Sequence, residues 1–209
     1  MPSERFYKLP EEKRNRIKDA AMHEFCEVAM ENVSINKIVK EAGISRGSFY
    51  TYFEDKQDVL RYLLQDAKNK QDEFIKKCMI EQKGDYIKSL YLLLDYSIEY
   101  FEENNFFDFS RNIAIRNGFN PILGMEEHKD CFKKNEKSEE ELADWIYEHI
   151  DKTKYNIASK EIIRALMIQV HIAIMIAVSR ILLTPQHKEA AMRQFDAMLT
   201  VLKEGVYKK

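Results

Sequence analysis

Glycine and proline are scarce in this chain of 209 residues, with 6 and 4 copies. So few breakers exclude a turn-rich sandwich or barrel, and a fold built on glycine-looped nucleotide sites. Cysteine is nearly absent as well. Cys26, Cys78 and Cys131 form an odd set with no Cys-x-x-Cys pair, which argues against a disulfide framework and for a reducing, cytoplasmic setting. Neither charge sign dominates: 33 Lys and Arg stand against 35 Asp and Glu, a net of −2. A polycationic nucleic-acid coat protein and an acidic tail protein are both excluded. No apolar stretch follows Met1-Pro2-Ser3-Glu4-Arg5, so no signal peptide is read. The longest apolar run, residues 165–179, lies between Arg164 and Arg180 and contains Gln169 and His171. It falls short of the roughly 20 apolar residues a membrane span needs. It reads instead as a helix buried on most sides, with His171 as a hydrogen-bonded core histidine.

What remains is apolar material at helical spacing. Hydrophobic residues make up 45% of the chain, enough for a real core. Ile17, Ala20, Ala21, Phe25 and Val28 share one face of a helix opening near Pro10. Ile35, Ile38, Val39 and Ala42 repeat that spacing in a shorter helix capped by Ser34 and stopped at Gly43. Ser45 caps a very short helix carrying Phe49 and Phe53, and Asp55 caps a longer one from residue 56 to about 80. Beyond Lys83-Gly84 the helices lengthen: residues 85–104, 106–116 ending at Asn117-Gly118, and one that Asn120-Pro121 can start. Residues 131–137 are polar and read as a loop, after which Ser138-Glu139-Glu140-Glu141 reads as a capping box. A helix over 159–183 and a last one begun by Thr184-Pro185 complete an all-α chain.

The informative stretch is residues 34–56, SINKIVKEAGISRGSFYTYFEDK. Two short amphipathic helices joined by Ala42-Gly43-Ile44-Ser45 make a helix-turn-helix. The second helix exposes Arg46, Gly47, Ser48, Tyr50 and Thr51, a polar surface with no acidic residue, suited to phosphates or base edges in a major groove. The run Ala42-Gly43-Ile44-Ser45-Arg46-Gly47-Ser48-Phe49-Tyr50, with Tyr52-Phe53, Asp55-Lys56 and Val59-Leu60, resembles the DNA-binding domain of tetracycline-repressor-like transcriptional regulators. The likeness spans roughly residues 10–64. It departs at Ala29, where the family usually has glycine.

The resemblance implies roles. Arg46 would read a base, its planar fork suiting guanine O6 and N7. Gly47 would allow close approach to the groove, and Ser48 and Thr51 would meet a thymine methyl or a phosphate. Tyr50, Tyr52 and Lys56 would hold phosphates, and Ser34 would present a capped helix start to the DNA backbone, with Asn36 a weaker candidate. Charge gives no independent support, because residues 1–56 carry 10 basic and 10 acidic side chains. Any positive face must come from segregation of groups such as Lys37, Arg46 and Lys56.

The remainder shows no catalytic constellation and no metal set; the His128 and Cys131 spacing stands without a second pair. Eight of the 24 aromatics fall between Tyr86 and Phe109. They are core, or the wall of a pocket for an apolar molecule. The family resemblance favours a pocket, lined by Tyr91, Tyr96, Tyr100, Phe107, Met125, Trp145, Met167 and His171. It also implies a homodimer through the last two helices, about 159–203. The expected organisation is a helix-turn-helix DNA-binding domain over 1–56 and an effector-binding and dimerisation domain over 57–209. The expected protein is a non-enzymatic, cofactor-free repressor, bound as a dimer to a pseudo-palindromic double-stranded operator and released when a small effector moves the helix from residue 56. The alternatives are a DNA-bound scaffold whose body holds another protein, and a helical-bundle enzyme fused to a DNA module.

Overall fold

Helix ends here are set by a few side chains that accept the first free N–H groups, and by backbone that glycine takes most readily. The computed structural model describes residues 2–116 and 129–206, and its regular elements there are helices. In chain order they are α1 (Glu4–Tyr7), α2 (Glu11–Glu27), α3 (Ile35–Glu41), α4 (Arg46–Tyr52), α5 (Lys56–Glu81), α6 (Tyr86–Glu103), α7 (Phe106–Arg116), α8 (Lys129–His149), α9 (Lys160–Leu183) and α10 (Lys188–Val206). The chain divides into two compact units, Met1–Lys68 with Asn105–Glu127, and Asn69–Asn104 with His128–Lys209. Helix α5 begins in the first and ends in the second.

In the first unit, α2 buries Ile17, Ala20, Ala21 and Phe25, the stripe its spacing predicts. Helix α7 packs on it. Phe109 meets Phe25 edge to face at 6.1 Å between ring centroids. The Asn112 amide donates to the carbonyls of Phe25 at 2.6 Å and Val28 at 2.9 Å. Those are carbonyls a helix end leaves without an intrahelical partner.

The second unit turns on the corner between α5 and α6. Lys83 and Gly84 both take positive φ, 52° and 80°. A Cβ on Gly84 would lie 2.5 Å from the His149 carbonyl oxygen. The Gly84 carbonyl accepts the Asp151 N–H at 3.0 Å. Asp85 caps α6 by accepting the Lys88 N–H at 3.2 Å, accepts the Tyr155 hydroxyl at 2.7 Å, and pairs with the Lys154 ammonium. Burial alone would raise the Asp85 carboxyl. The hydrogen bonds from Lys154, Tyr155 and the Lys88 N–H outweigh it and hold its pKa below the ordinary value. Helix α9 runs between α6, α8 and α10.

Four readings of the sequence are corrected. Residues 131–137 are helical, not a loop, and Ser138 lies inside α8 rather than at its start. The stretch 129–137 is polar but holds no Gly or Pro and is rich in Lys, so nothing local stops a helix. Helix α9 is not buried on most sides: 39% of its most apolar window is buried, and Ile168 is 61% exposed. His171 lies on its exposed side instead of in the core. By length and composition alone α9 could cross a membrane, yet Arg164 and Arg180 interrupt it and its Ile163, Leu166, Val170, Ala173 and Val178 form core. The last helix follows a 3-10 turn, Pro185–His187, with Pro185 in its first turn. Asn117-Gly118 and Asn120-Pro121 lie outside the described residues.

Candidate nucleic-acid interface

Helices α3 and α4 have seven residues each, too few to hold together unaided. Their ends are therefore fixed by side chains. Ser34 Oγ accepts the Lys37 N–H at 3.4 Å, and the Ser34 N–H donates to the buried Glu24 carboxylate at 2.9 Å. The other Glu24 oxygen is 3.3 Å from Lys37 Nζ, so Lys37 is already paired. Gly43, at φ 66°, turns the chain. The Ile44 N–H then closes on the Val39 carbonyl at 3.0 Å. Ser45 Oγ accepts the Ser48 N–H at 3.0 Å. Phe49 and Phe53 are buried, their rings 5.5 Å apart, which leaves the opposite side of α4 outward.

On that side Arg46, Gly47 and Tyr50 are exposed, and Ser48 and Thr51 are half-buried. The Arg46 guanidinium donates from Nη1 to Asn36 Oδ1 at 2.9 Å and from Nη2 to the Tyr50 hydroxyl at 3.2 Å. It also sits 5.7 Å from the centre of the Tyr50 ring. Gly47 faces open space apart from Ser45 Oγ at 3.8 Å from an added Cβ. The Thr51 hydroxyl donates to the Gly47 carbonyl at 3.0 Å. Tyr52 departs from the outward group: it is buried, with its ring 6.0 Å from Phe6. Lys56 Nζ donates to the Glu31 carbonyl at 2.7 Å, a tie between the start of α5 and the loop before α3.

The sequence reading overlooked the first residues of the chain. The Ser3 N–H donates to the Tyr52 carbonyl at 2.9 Å and its hydroxyl to the Thr51 carbonyl at 2.8 Å, satisfying acceptors at the end of α4. Phe6 is fully buried, 4.9 Å from both Phe53 and Tyr62. The available signal was Ser3-Glu4, a helix-start pair with an acidic first turn. Behind this surface Lys18 and Asp66 pair at 2.6 Å, joining α2 to α5. Burial, aided by the Asp66 charge, pushes the neighbouring Tyr62 hydroxyl up to about 12. Burial and the nearby Asp108 and Glu27 push the Cys26 thiol up to about 11, far from thiolate reactivity.

The residues expected to hold a ligand are distributed. Tyr91, Tyr96 and Tyr100 all lie on α6. Tyr96 stacks on Phe74 at 4.1 Å and lies 6.0 Å from Tyr100, while Tyr91 meets Phe195 edge to face at 5.7 Å. Trp145 stacks on His149 at 3.9 Å. Met167 is half-buried and His171 exposed. Phe107 belongs to the other compact unit, beneath the Arg111 guanidinium. Met125 and His128 lie outside the described residues. Among the described residues no group of three His, Cys, Asp or Glu is placed to hold a metal ion.

Comparison with known proteins matches two stretches of the chain. Residues 17–63 match the model of bacterial regulatory proteins of the tetR family, and residues 85–206 match the tetracyclin repressor-like C-terminal domain. The chain belongs to the tetR family. That family consists of bacterial regulatory proteins. An HTH-type transcriptional regulator of Staphylococcus aureus (strain bovine RF122 / ET3-1) is 34% identical over 93 residues, 44% of this chain and 50% of that protein. The chain thus spans about half the length of this curated relative. A TetR family regulator from Chloroflexus aurantiacus J-10-FL has a similar fold, with TM-score 0.52 at 24% identity over 100% of both chains. So does SmeT in its complex with triclosan, with TM-score 0.63 at 15% identity over 94% of this chain and 92% of that one. SmeT is the repressor of a Stenotrophomonas maltophilia multidrug efflux pump. These likenesses carry the fold.

Proposed function

We propose that this TetR-family chain is a non-enzymatic repressor that binds a pseudo-palindromic operator as a homodimer, with α4 in the major groove, and leaves it on binding a small apolar or aromatic effector. The observation that carries the reading is the outward, acid-free face of α4 around Arg46, Gly47 and Tyr50. Arg46 reads a base, Ser48 and Thr51 line the groove, and Tyr50, Lys56 and the Ser34 helix start hold phosphates. Tyr52 contributes at most its polar tip, since its ring is core. Dimerisation through α9 and α10 is supported by Ile162, Ile168, Leu183 and Val201, all large, apolar and exposed in the single chain. A two-fold dimer sets its recognition helices about 34–36 Å apart, one DNA turn. The aromatic rows on α6, with Phe74 and Trp145, support an apolar ligand region in the second unit, and the SmeT complex with triclosan supports that class of effector. Helix α5 runs from one unit into the other. An effector that favours one placement of α5 shifts the DNA-binding population; one indifferent to it does nothing.

Selection of duplexes from a random-sequence library by the purified full-length protein tests this reading. Enrichment of a two-fold-symmetric sequence, bound by two protomers, is expected. Arg46→Ala should lower affinity for that sequence about 5- to 150-fold. Failure to enrich any sequence overturns the proposal. The exposed apolar face also suits a second reading, a DNA-bound scaffold holding another protein; sedimentation of the free chain as a monomer would favour it.

A further inference from the structure

The arginines whose partners are described fall into two groups: four pair with carboxylates, while Arg46, like Arg14 on the Tyr7 and Leu9 carbonyls and Arg180 on Gln194 Oε1, is held by uncharged oxygens. Arg61 pairs with Asp58, Arg111 with Asp108, Arg164 with Glu140 and Arg193 with Glu189. Arg46 is held instead by two uncharged oxygens, Asn36 Oδ1 on α3 and the Tyr50 hydroxyl one turn along α4, with the Tyr50 ring alongside. A carboxylate there would fix the side chain but cancel its charge. Neutral acceptors fix it and leave the charge for a ligand. A guanidinium has five N–H donors. Two are used in this seat, so three remain, enough for the paired bonds to guanine O6 and N7. The side chain is long and exposed, and a free one would lose its rotamer freedom only on meeting DNA. Holding it beforehand moves that loss from binding to folding.

We propose that Asn36 is a positioning residue for base reading. Reaching across the helix-turn-helix from α3, it fixes, together with Tyr50, the plane of the Arg46 guanidinium before DNA arrives. Asn36 thereby sets sequence preference through Arg46 rather than by its own contact to the DNA backbone. The proposal rests on the DNA-binding reading above and deepens it. It also gives α3 a second task beyond supporting α4: the spacing between the two helices of the motif becomes part of the base-reading geometry. Asn36 is exposed and its side chain supports no buried group, so its removal leaves the fold intact.

The test uses the full-length protein, the duplex it enriches from a random library, and a scrambled duplex of equal length. Asn36→Ala should weaken binding to the enriched duplex about 5- to 10-fold while binding to the scrambled duplex and the salt dependence stay as in the parent. In an Arg46→Ala background it should cause no further loss, since the group it positions is gone. Repeated selection with Asn36→Ala should relax preference at the same base pair as Arg46→Ala. Tyr50→Phe, which keeps the ring and removes the hydroxyl, should relax preference at that base pair too, and, because the same hydroxyl holds a phosphate, should also weaken binding to the scrambled duplex. An equal loss on both duplexes identifies a contact of Asn36 itself to the DNA backbone and overturns the proposal. Additive losses in the double variant, or parent-like binding by Asn36→Ala, overturn it as well. If the parent protein enriches no duplex, the DNA-binding reading fails first and this one with it.

Discussion

The two compact units solve the same problem, holding helices together, by different means. In the first, the short helices α3 and α4 are fixed at their starts by Ser34 and Ser45, as Asp55 fixes the start of α5, each accepting an N–H three residues on, and Gly43 turns the chain. Buried polar groups such as Glu24, Asp58 and Asn112 tie one helix end to another. In the second, long helices rely on apolar stripes, and polar anchoring is gathered at one corner around Gly84 and Asp85. Short helices need local instructions because each gains little from packing alone. Long ones are specified by which stripe meets which, and that choice is spread over distant residues.

If that contrast is right, the corner of the second unit should be the costlier place to disturb. Gly84→Ala is expected to have the largest effect, a loss of about 3 kcal/mol in urea unfolding, from a left-handed non-glycine residue plus a clash with backbone that cannot turn aside. Gly43→Ala shares the positive φ but meets nothing within 4 Å. It should lose only about 1 kcal/mol, the conformational part alone. Equal losses at the two sites would break the comparison.

Asp85→Asn comes next, at about 2 kcal/mol near neutral pH, since it weakens hydrogen bonds to a charged, buried acceptor. Its sign with pH sharpens the point. Asp85 has a lowered pKa in the folded chain, so its contribution is complete above the ordinary carboxylate range and disappears as pH falls through the folded value. The parent protein should therefore lose more stability than Asp85→Asn when unfolding is repeated from about pH 5 to pH 2. Parallel curves would mean the carboxylate is not the anchor. Ser45→Ala, the matching change in the first unit, should lose about 1 kcal/mol by removing one cap.

Legibility in the sequence follows this same division. The boundaries of α3 and α4 were readable from Ser34, Gly43 and Ser45, because each marker acts on neighbours within three residues. The helical span across 131–137 is not, because polarity alone does not separate a solvated helix from a loop where no Gly or Pro marks a break. The exposure of His171 was missed for another reason: a helix apolar all round does not say which side its own chain covers. At the candidate interface, Arg46 is legible as an outward side chain, while the Asn36 oxygen that holds it belongs to another helix ten residues earlier. Ser3 and Phe6 were overlooked because their partners, Thr51, Tyr52, Phe53 and Tyr62, lie far along the chain.

Gly47→Ala is the smallest effect on folding and separates stability from recognition within one residue. Gly47 is helical, without a positive φ, and an added Cβ meets only Ser45 Oγ at 3.8 Å. Alanine is the better helix former, so the variant should be more stable by about 0.5–1 kcal/mol. Yet Gly47 lies on the outward face beside Arg46, where a methyl group would stand between α4 and a groove it must approach closely. Binding to the enriched duplex should therefore weaken while the unfolding midpoint rises. A variant that gained stability and kept its affinity would place Gly47 away from the DNA. The contacting edge of α4 would then be confined to Arg46 and the side chains one turn further on.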